Sequence, residues 1–143
     1  NGVPRTGKGT AADRAAIPVM RAAMRETLED ISITRSIQAN TFGMKGLNGG
    51  NELSDREAAQ LTVGRTFHEP GFSSASVGSR GRGLRLQISV PKGTRAAYVD
   101  SISKNRGETE MILDTGTHYR IDRVERHLLK GTIIHVTVVG QDA

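Results

Sequence analysis

Two hydrophobic rhythms divide the chain. From Ala11 to Asp30 the alanines, Met20, Met24 and Leu28 recur at helical spacing, with Pro18 close to the first turn, and predict an amphipathic helix with one face on the core. Ser54, Asp55, Arg56 and Glu57 form a capping-box pattern ahead of Ala58, Ala59 and Leu61, so a second, short helix is expected there. The intervening Asn40–Asn51 stretch is rich in Gly and Asn and predicts a loop. After Gly64 the period changes to two. Leu84, Leu86, Ile88 and Val90 alternate with Arg85, Gln87 and Ser89 in a half-buried strand that ends at Pro91. Ala97–Val99, Thr109–Leu113, Tyr119–Val124 and Thr132–Val139 predict further strands, with turn signals at Lys92-Gly93, Asp114–Gly116 and Lys130-Gly131. Helices followed by strands, without the alternation of a doubly wound nucleotide fold, give an α+β class.

Three places break their local pattern. Ile31–Ile37 alternates strictly, and Arg35 falls in the same register as Ile31, Ile33 and Ile37. A buried guanidinium must be paired, so Arg35 meets an internal carboxylate or an anionic ligand, unless it bends from a strand end to solvent. In Gly107–Leu113, Glu108, Glu110 and Ile112 share a strand face, with the two carboxylates about 6 to 7 Å apart. Such a pair suits chemistry at a glycosidic carbon, one carboxylate stabilising an oxocarbenium-like centre while the other handles the nucleophile; a solvated strand edge is the plain alternative. Phe72-Ser73-Ser74-Ala75-Ser76-Val77-Gly78 is a hydroxyl cluster between apolar anchors, able to orient a carboxylate or simply to make a serine-rich turn.

Composition narrows the chemistry. The 143 residues suit one domain, and their 36% hydrophobic content is enough to fold. With no cysteine, disulfide scaffolds, zinc ribbons and cysteine nucleophiles are excluded. Twenty Lys and Arg against 15 Asp and Glu give +5, a balance suited to nucleic acid, phosphate-rich ligands or an acidic protein. Five aromatics and no Trp disfavour a base-stacking platform. Ser79-Arg80-Gly81-Arg82-Gly83 is basic and glycine-rich, able to approach a pyrophosphate but without the strand and helix of a dinucleotide fingerprint. His68, His118, His127 and His135 lack metal-ligand spacing, so no metal is expected. No apolar stretch is long enough to span a membrane, and residues 1–12, with Gly2, Gly7, Gly9, Pro4, Arg5 and Lys8, read as a flexible basic linker from an upstream region. Residues 13–143 are then a single domain, expected to be a piece of something longer.

The order of the anomalies, arginine on an early strand, Ser-x-Ser after an aromatic, then Glu-x-Glu at a strand start, resembles the signature of the mono-ADP-ribosyltransferase toxins, in particular the branch with the actin-modifying clostridial binary toxins. The resemblance runs from Ile31 to Val139 through Thr34-Arg35 with Phe42-Gly43, Phe72–Gly78, Ile88–Gly93, Ala97-Tyr98, Gly107–Glu110 and Ile121–Val124. It implies an ADP-ribosyltransferase-like fold, N-terminal helices packed on two mostly antiparallel sheets, and NAD as co-substrate with no metal. It further implies that Arg35 contacts the NAD phosphates, with Ser36, Gly43, Ser74, Ser76, Arg80, Arg82 and Glu110 around the dinucleotide. By the same resemblance Ser74 would hold the catalytic Glu110 and Glu108 would activate the acceptor, a glutamate there in place of glutamine marking the arginine-modifying members. The implied activity is transfer of ADP-ribose to an arginine of a target protein, by a secreted or delivered toxin domain acting in the cytoplasm of a target cell, with an immunity protein as a candidate further partner. Nucleic-acid modification or NAD hydrolysis by the same site, and a basic binding module without catalysis, are the alternatives. Ala75 stands in place of the family's middle threonine, Asn105 in place of a frequent aromatic in the acceptor loop from Asp100 to Arg106, and the region before Ile31 is short, as in a compact or trimmed member.

Overall fold

A computed structural model describes residues 18–77, 83–100 and 109–143. Residues 18–22 are helical, and the chain then turns into a short strand β1 (Arg25–Glu26). The helix therefore does not run on to Asp30. Tertiary hydrogen bonds override the helical spacing: Arg25 pairs with Ala96 and Glu26 with Arg95, the Thr27 amide donates to the Thr94 carbonyl at 2.8 Å, and the Thr27 hydroxyl donates to Pro91 O. Met24 of the expected stripe is buried, but Leu28 is 87% exposed.

Eight more strands follow: β2 (Ile31–Ser36), β3 (Thr66–Glu69), β4 (Ser73–Val77), β5 (Arg85–Val90), β6 (Arg95–Asp100), β7 (Thr109–Leu113), β8 (Thr117–His127) and β9 (Gly131–Gln141). They form one nine-stranded mixed sheet in the order β1-β6-β7-β4-β2-β5-β9-β8-β3, in which only the β5–β9 pair is parallel. This corrects the expectation of helices on two sheets. β2 hydrogen-bonds on both edges and so joins what would otherwise be two, pairing with β5 at six positions but with β4 only at Ile33–Val77 and Thr34–Ser76.

The main core lies on one side, where Ile33, Ala75, Leu86, Ile88, Met111, Ile134 and Val136 meet. A smaller cluster of Met24, Phe72, Ala97 and Ile112, with Met20 against it, covers part of the other side. The Ser54 capping box forms as the sequence predicts: the hydroxyl accepts from the Glu57 amide while the Glu57 carboxylate accepts from the Ser54 amide, opening α1 (Asp55–Ala59). The Gly- and Asn-rich loop before it contains two 3-10 turns, Ala39–Phe42 and Asn48–Gly50, the first closed by Gly43 at φ 72°. Phe42 anchors that loop edge-on against Phe67, which in turn stacks on Tyr119. With Phe72 in the smaller cluster, four of the five aromatics are thus used for packing.

Candidate active site

The three anomalous segments become three adjacent strands, β7, β4 and β2. Ser73–Val77 is a strand and not a turn, because both its edges are paired: Ser74 lies opposite Ile112, Ser76 opposite Glu110 on one side and opposite Thr34 on the other. Directly opposed residues share a face. Ser74, Ser76, Glu110 and Ile112 therefore point the same way, as the alternation predicts. Ile112 is buried under the smaller cluster, while Glu110 is exposed beside it. The Ser74 hydroxyl donates to Glu110 Oε2 at 3.3 Å. Ser76 is half-buried between Glu110 and Thr34.

Arg35 alternates onto the other face of β2, and there it is only 4% exposed. Its Nη1 donates to Glu69 Oε1 of β3 at 2.8 Å, and Glu69 is itself 6% exposed. The internal carboxylate required by the burial of Arg35 is thus present. Arg35 also lines a polar cleft of about 600 Å³ with Ser36, Gln38, Asn40, Thr41 and Asn51, so the loop anchored by Phe42 forms its far wall. Gly43 sits at the end of this wall, but its amide is spent on the Ala39 and Asn40 carbonyls, and its contribution is the left-handed turn.

The structure thus makes two groups, Ser74–Ser76–Glu110 and Arg35–Ser36 with the Gly43 turn, and does not bring Arg35 into contact with Glu110. They are linked by the seam between β2 and β4. Pairing stops at Thr34–Ser76, so the strands part where one carries Arg35 and Ser36 and the other Ser73 and Ser74. The Ser73 hydroxyl at this parting is buried without a hydrogen-bond partner among the described residues. Glu108, Arg80, Arg82 and Asn105, with most of the Asp100–Arg106 loop, lie outside the described residues, as does the 1–12 segment. Sequence reading missed Glu69: its only local signal is a carboxylate before Pro70, 34 residues from the arginine it neutralises.

Arg35, Ser74-x-Ser76 and Glu110 thus lie on three adjacent strands of one sheet, β2, β4 and β7, in the order on which the resemblance to the ADP-ribosyltransferase toxins rests. The sequence profile of the ADP-ribosyltransferase exoenzyme family matches residues 10–137, and the chain belongs to that family. It is similar to the epidermal cell differentiation inhibitor of Staphylococcus aureus, 37% identical over 118 residues, which cover 76% of this chain and 47% of that protein. The chain thus spans about half the length of this curated relative. Among solved structures it resembles C3larvin toxin, an ADP-ribosyltransferase from Paenibacillus larvae, at 25% identity and a TM-score of 0.71, covering 92% of this chain and 73% of that one. C3stau2 from S. aureus, solved with NAD, has the same fold at 21% identity and a TM-score of 0.71, over 95% of this chain and 74% of that one.

Proposed function

We infer that this chain transfers ADP-ribose from NAD to an arginine side chain of a target protein and releases nicotinamide. The observation that carries this reading is the Ser74–Glu110 hydrogen bond, which fixes an exposed carboxylate on a strand beside a parting in the sheet. The NAD held by C3stau2 supports the choice of co-substrate.

In this reading the bond between C1 of the ribose and the nicotinamide nitrogen breaks, and nicotinamide leaves with the electron pair. Glu110, steadied by Ser74, stabilises the cationic ribosyl centre. An arginine nitrogen of the acceptor then bonds to C1, and Glu108 takes the proton that the guanidinium must lose. Arg35 holds the phosphates: Glu69 fixes one arm of its fork, and the residue lines the polar cleft. Ser36, Ser76, Arg80 and Arg82 complete the dinucleotide site, and Gly43 shapes the loop that bounds it. Residues 13–143 form the catalytic domain, with 1–12 as a linker. The setting that fits is a delivered toxin domain acting on a protein in the target cell, with an immunity protein as a candidate partner.

The test compares the two glutamates in assays of nicotinamide release and of acceptor labelling followed by mass analysis of the modified residue. Glu110→Gln abolishes both. Glu108→Gln keeps slow nicotinamide release, because water needs less activation than a protonated guanidinium, and loses labelling of arginine. Parent-level labelling of arginine by Glu108→Gln overturns the arginine mechanism, and unchanged NAD turnover by Glu110→Gln overturns the site.

A further inference from the structure

Away from the candidate active site, pairing of β3 with β8 sets His68 directly opposite His118, two residues 50 positions apart whose proximity no sequence spacing reveals. Their rings stack with centroids 4.4 Å apart. Both Nε2 atoms face one carboxylate: His68 Nε2 is 3.2 Å from Asp142 Oδ2, and His118 Nε2 is 2.8 Å from Asp142 Oδ1. Among the described residues, these are the only three histidines or carboxylates whose ligand atoms all lie within 4.8 Å of one another. The other His–carboxylate–His group, His127–Glu125–His135, does not meet that condition.

We propose that His68, His118 and Asp142 form a surface site for zinc. Two imidazole nitrogens and a carboxylate oxygen match the donor preference of that ion. Bond lengths of about 2.0–2.1 Å in a tetrahedral arrangement require ligand atoms about 3.3 Å apart, which these side chains reach with small rotations. The fourth position faces solvent, since all three side chains are 42 to 60% exposed.

Backbone contacts fix Asp142 in place. The Asp142 amide donates to Gly116 O at 2.9 Å, Arg95 donates to the Asp142 carbonyl, and the carboxylate rests on Gly116. A Cβ at Gly116 would stand 2.5 Å from Asp142 Oδ2, so only glycine leaves room for it. The ligands come from β3, β8 and the segment after β9, and zinc would fasten edge strand β3 to the end of the sheet. That strand also carries Glu69, the partner of Arg35. The proposal is independent of the transferase reading.

The experiment titrates zinc into the full chain with a chromophoric chelator as competitor, and records thermal unfolding with and without zinc. The parent binds one zinc with micromolar or tighter affinity and unfolds at higher temperature when loaded. His68→Ala, His118→Ala and Asp142→Asn each weaken binding by at least about tenfold and remove the thermal shift, because each loses a direct ligand. His127→Ala behaves as the parent. Circular dichroism checks that the variants fold, which their exposed positions favour, and the neutral, near-isosteric Asp142→Asn keeps the test valid if a histidine variant is unstable. A parent that binds no zinc at micromolar concentrations, or one-to-one binding that survives in the His68→Ala/His118→Ala double variant, overturns the proposal.

Discussion

Arg35 on β2 and Glu69 on β3 form a buried ion pair at 2.8 Å across a fold in which their strands are four places apart. Both charges have left water, so removing Glu69 strands the guanidinium. Glu69→Ala is expected to destabilise the protein by about 3–5 kcal/mol, whereas the apolar double variant Arg35→Met/Glu69→Leu recovers most of that loss. Urea denaturation of the three proteins measures both quantities. Equal stability of parent and Glu69→Ala would mean that the guanidinium finds water or another partner.

Ser74→Ala removes a hydroxyl that steadies Glu110 but leaves the carboxylate. The loss of one net hydrogen bond, about 1 kcal/mol, corresponds to a roughly fivefold fall in nicotinamide release. Steady-state assays against Glu110→Gln rank the two. A Ser74→Ala variant as inactive as Glu110→Gln would assign the hydroxyl a larger share of the chemistry than a positioning bond supplies.

The Glu57 carboxylate ties α1 to the cleft loop. Its Oε1 accepts from the Ser54 amide and its Oε2 from the Gly46 amide, each at 2.9 Å, and these backbone hydrogen bonds hold its carboxyl below the usual glutamate range. In Glu57→Ala the Gly46 amide is expected to exchange with deuterium faster than in the parent, and NAD affinity to fall because the loop wall is less fixed. Unchanged exchange at Gly46 would show that its close packing on Ala39 and Glu52 suffices.

Glu125 gives the pH dependence. Hydrogen bonds from His135, first, and His127 hold its carboxyl below the ordinary value of 4.5. A depressed carboxylate contributes stability that is present above the unfolded value and lost as pH falls through the folded one. The melting temperatures of the parent and Glu125→Gln should therefore differ near neutrality and converge in acid. A gap that persists undiminished at low pH would attribute the difference to packing.

What the sequence disclosed and what it concealed divide along chain distance. The placement of Arg35 in an apolar register, the shared face of Glu110 and Ile112 and the Ser54–Glu57 cap are all set within a few residues, and each is found as expected. The helix expected through Asp30 fails because β1 is held by β6, some seventy residues on, whose hydrogen bonds outweigh local spacing. One joined sheet replaces two for a similar reason: the seam consists of Ile33–Val77 and Thr34–Ser76, and no pattern within β2 announces a second neighbour. Glu69 and the His68–His118 pair are equally products of strand pairing and have no local signature.

The parallel pairing of β5 with β9 also sets the order of events in folding. Parallel neighbours need a crossover, and here it contains all of β6, β7 and β8. Ile88 beside Val136 and Leu86 beside Ile134, at the centre of the core, cannot meet until residues near the carboxyl end of the sequence are available. Loop closure over that distance precedes the reward of burial, so the chain is expected to fold slowly for its size and in a single late step. A nascent chain arrested before Gly131 would present the inner edge of β5 without its partner, and would be prone to pair with other chains until β9 emerged.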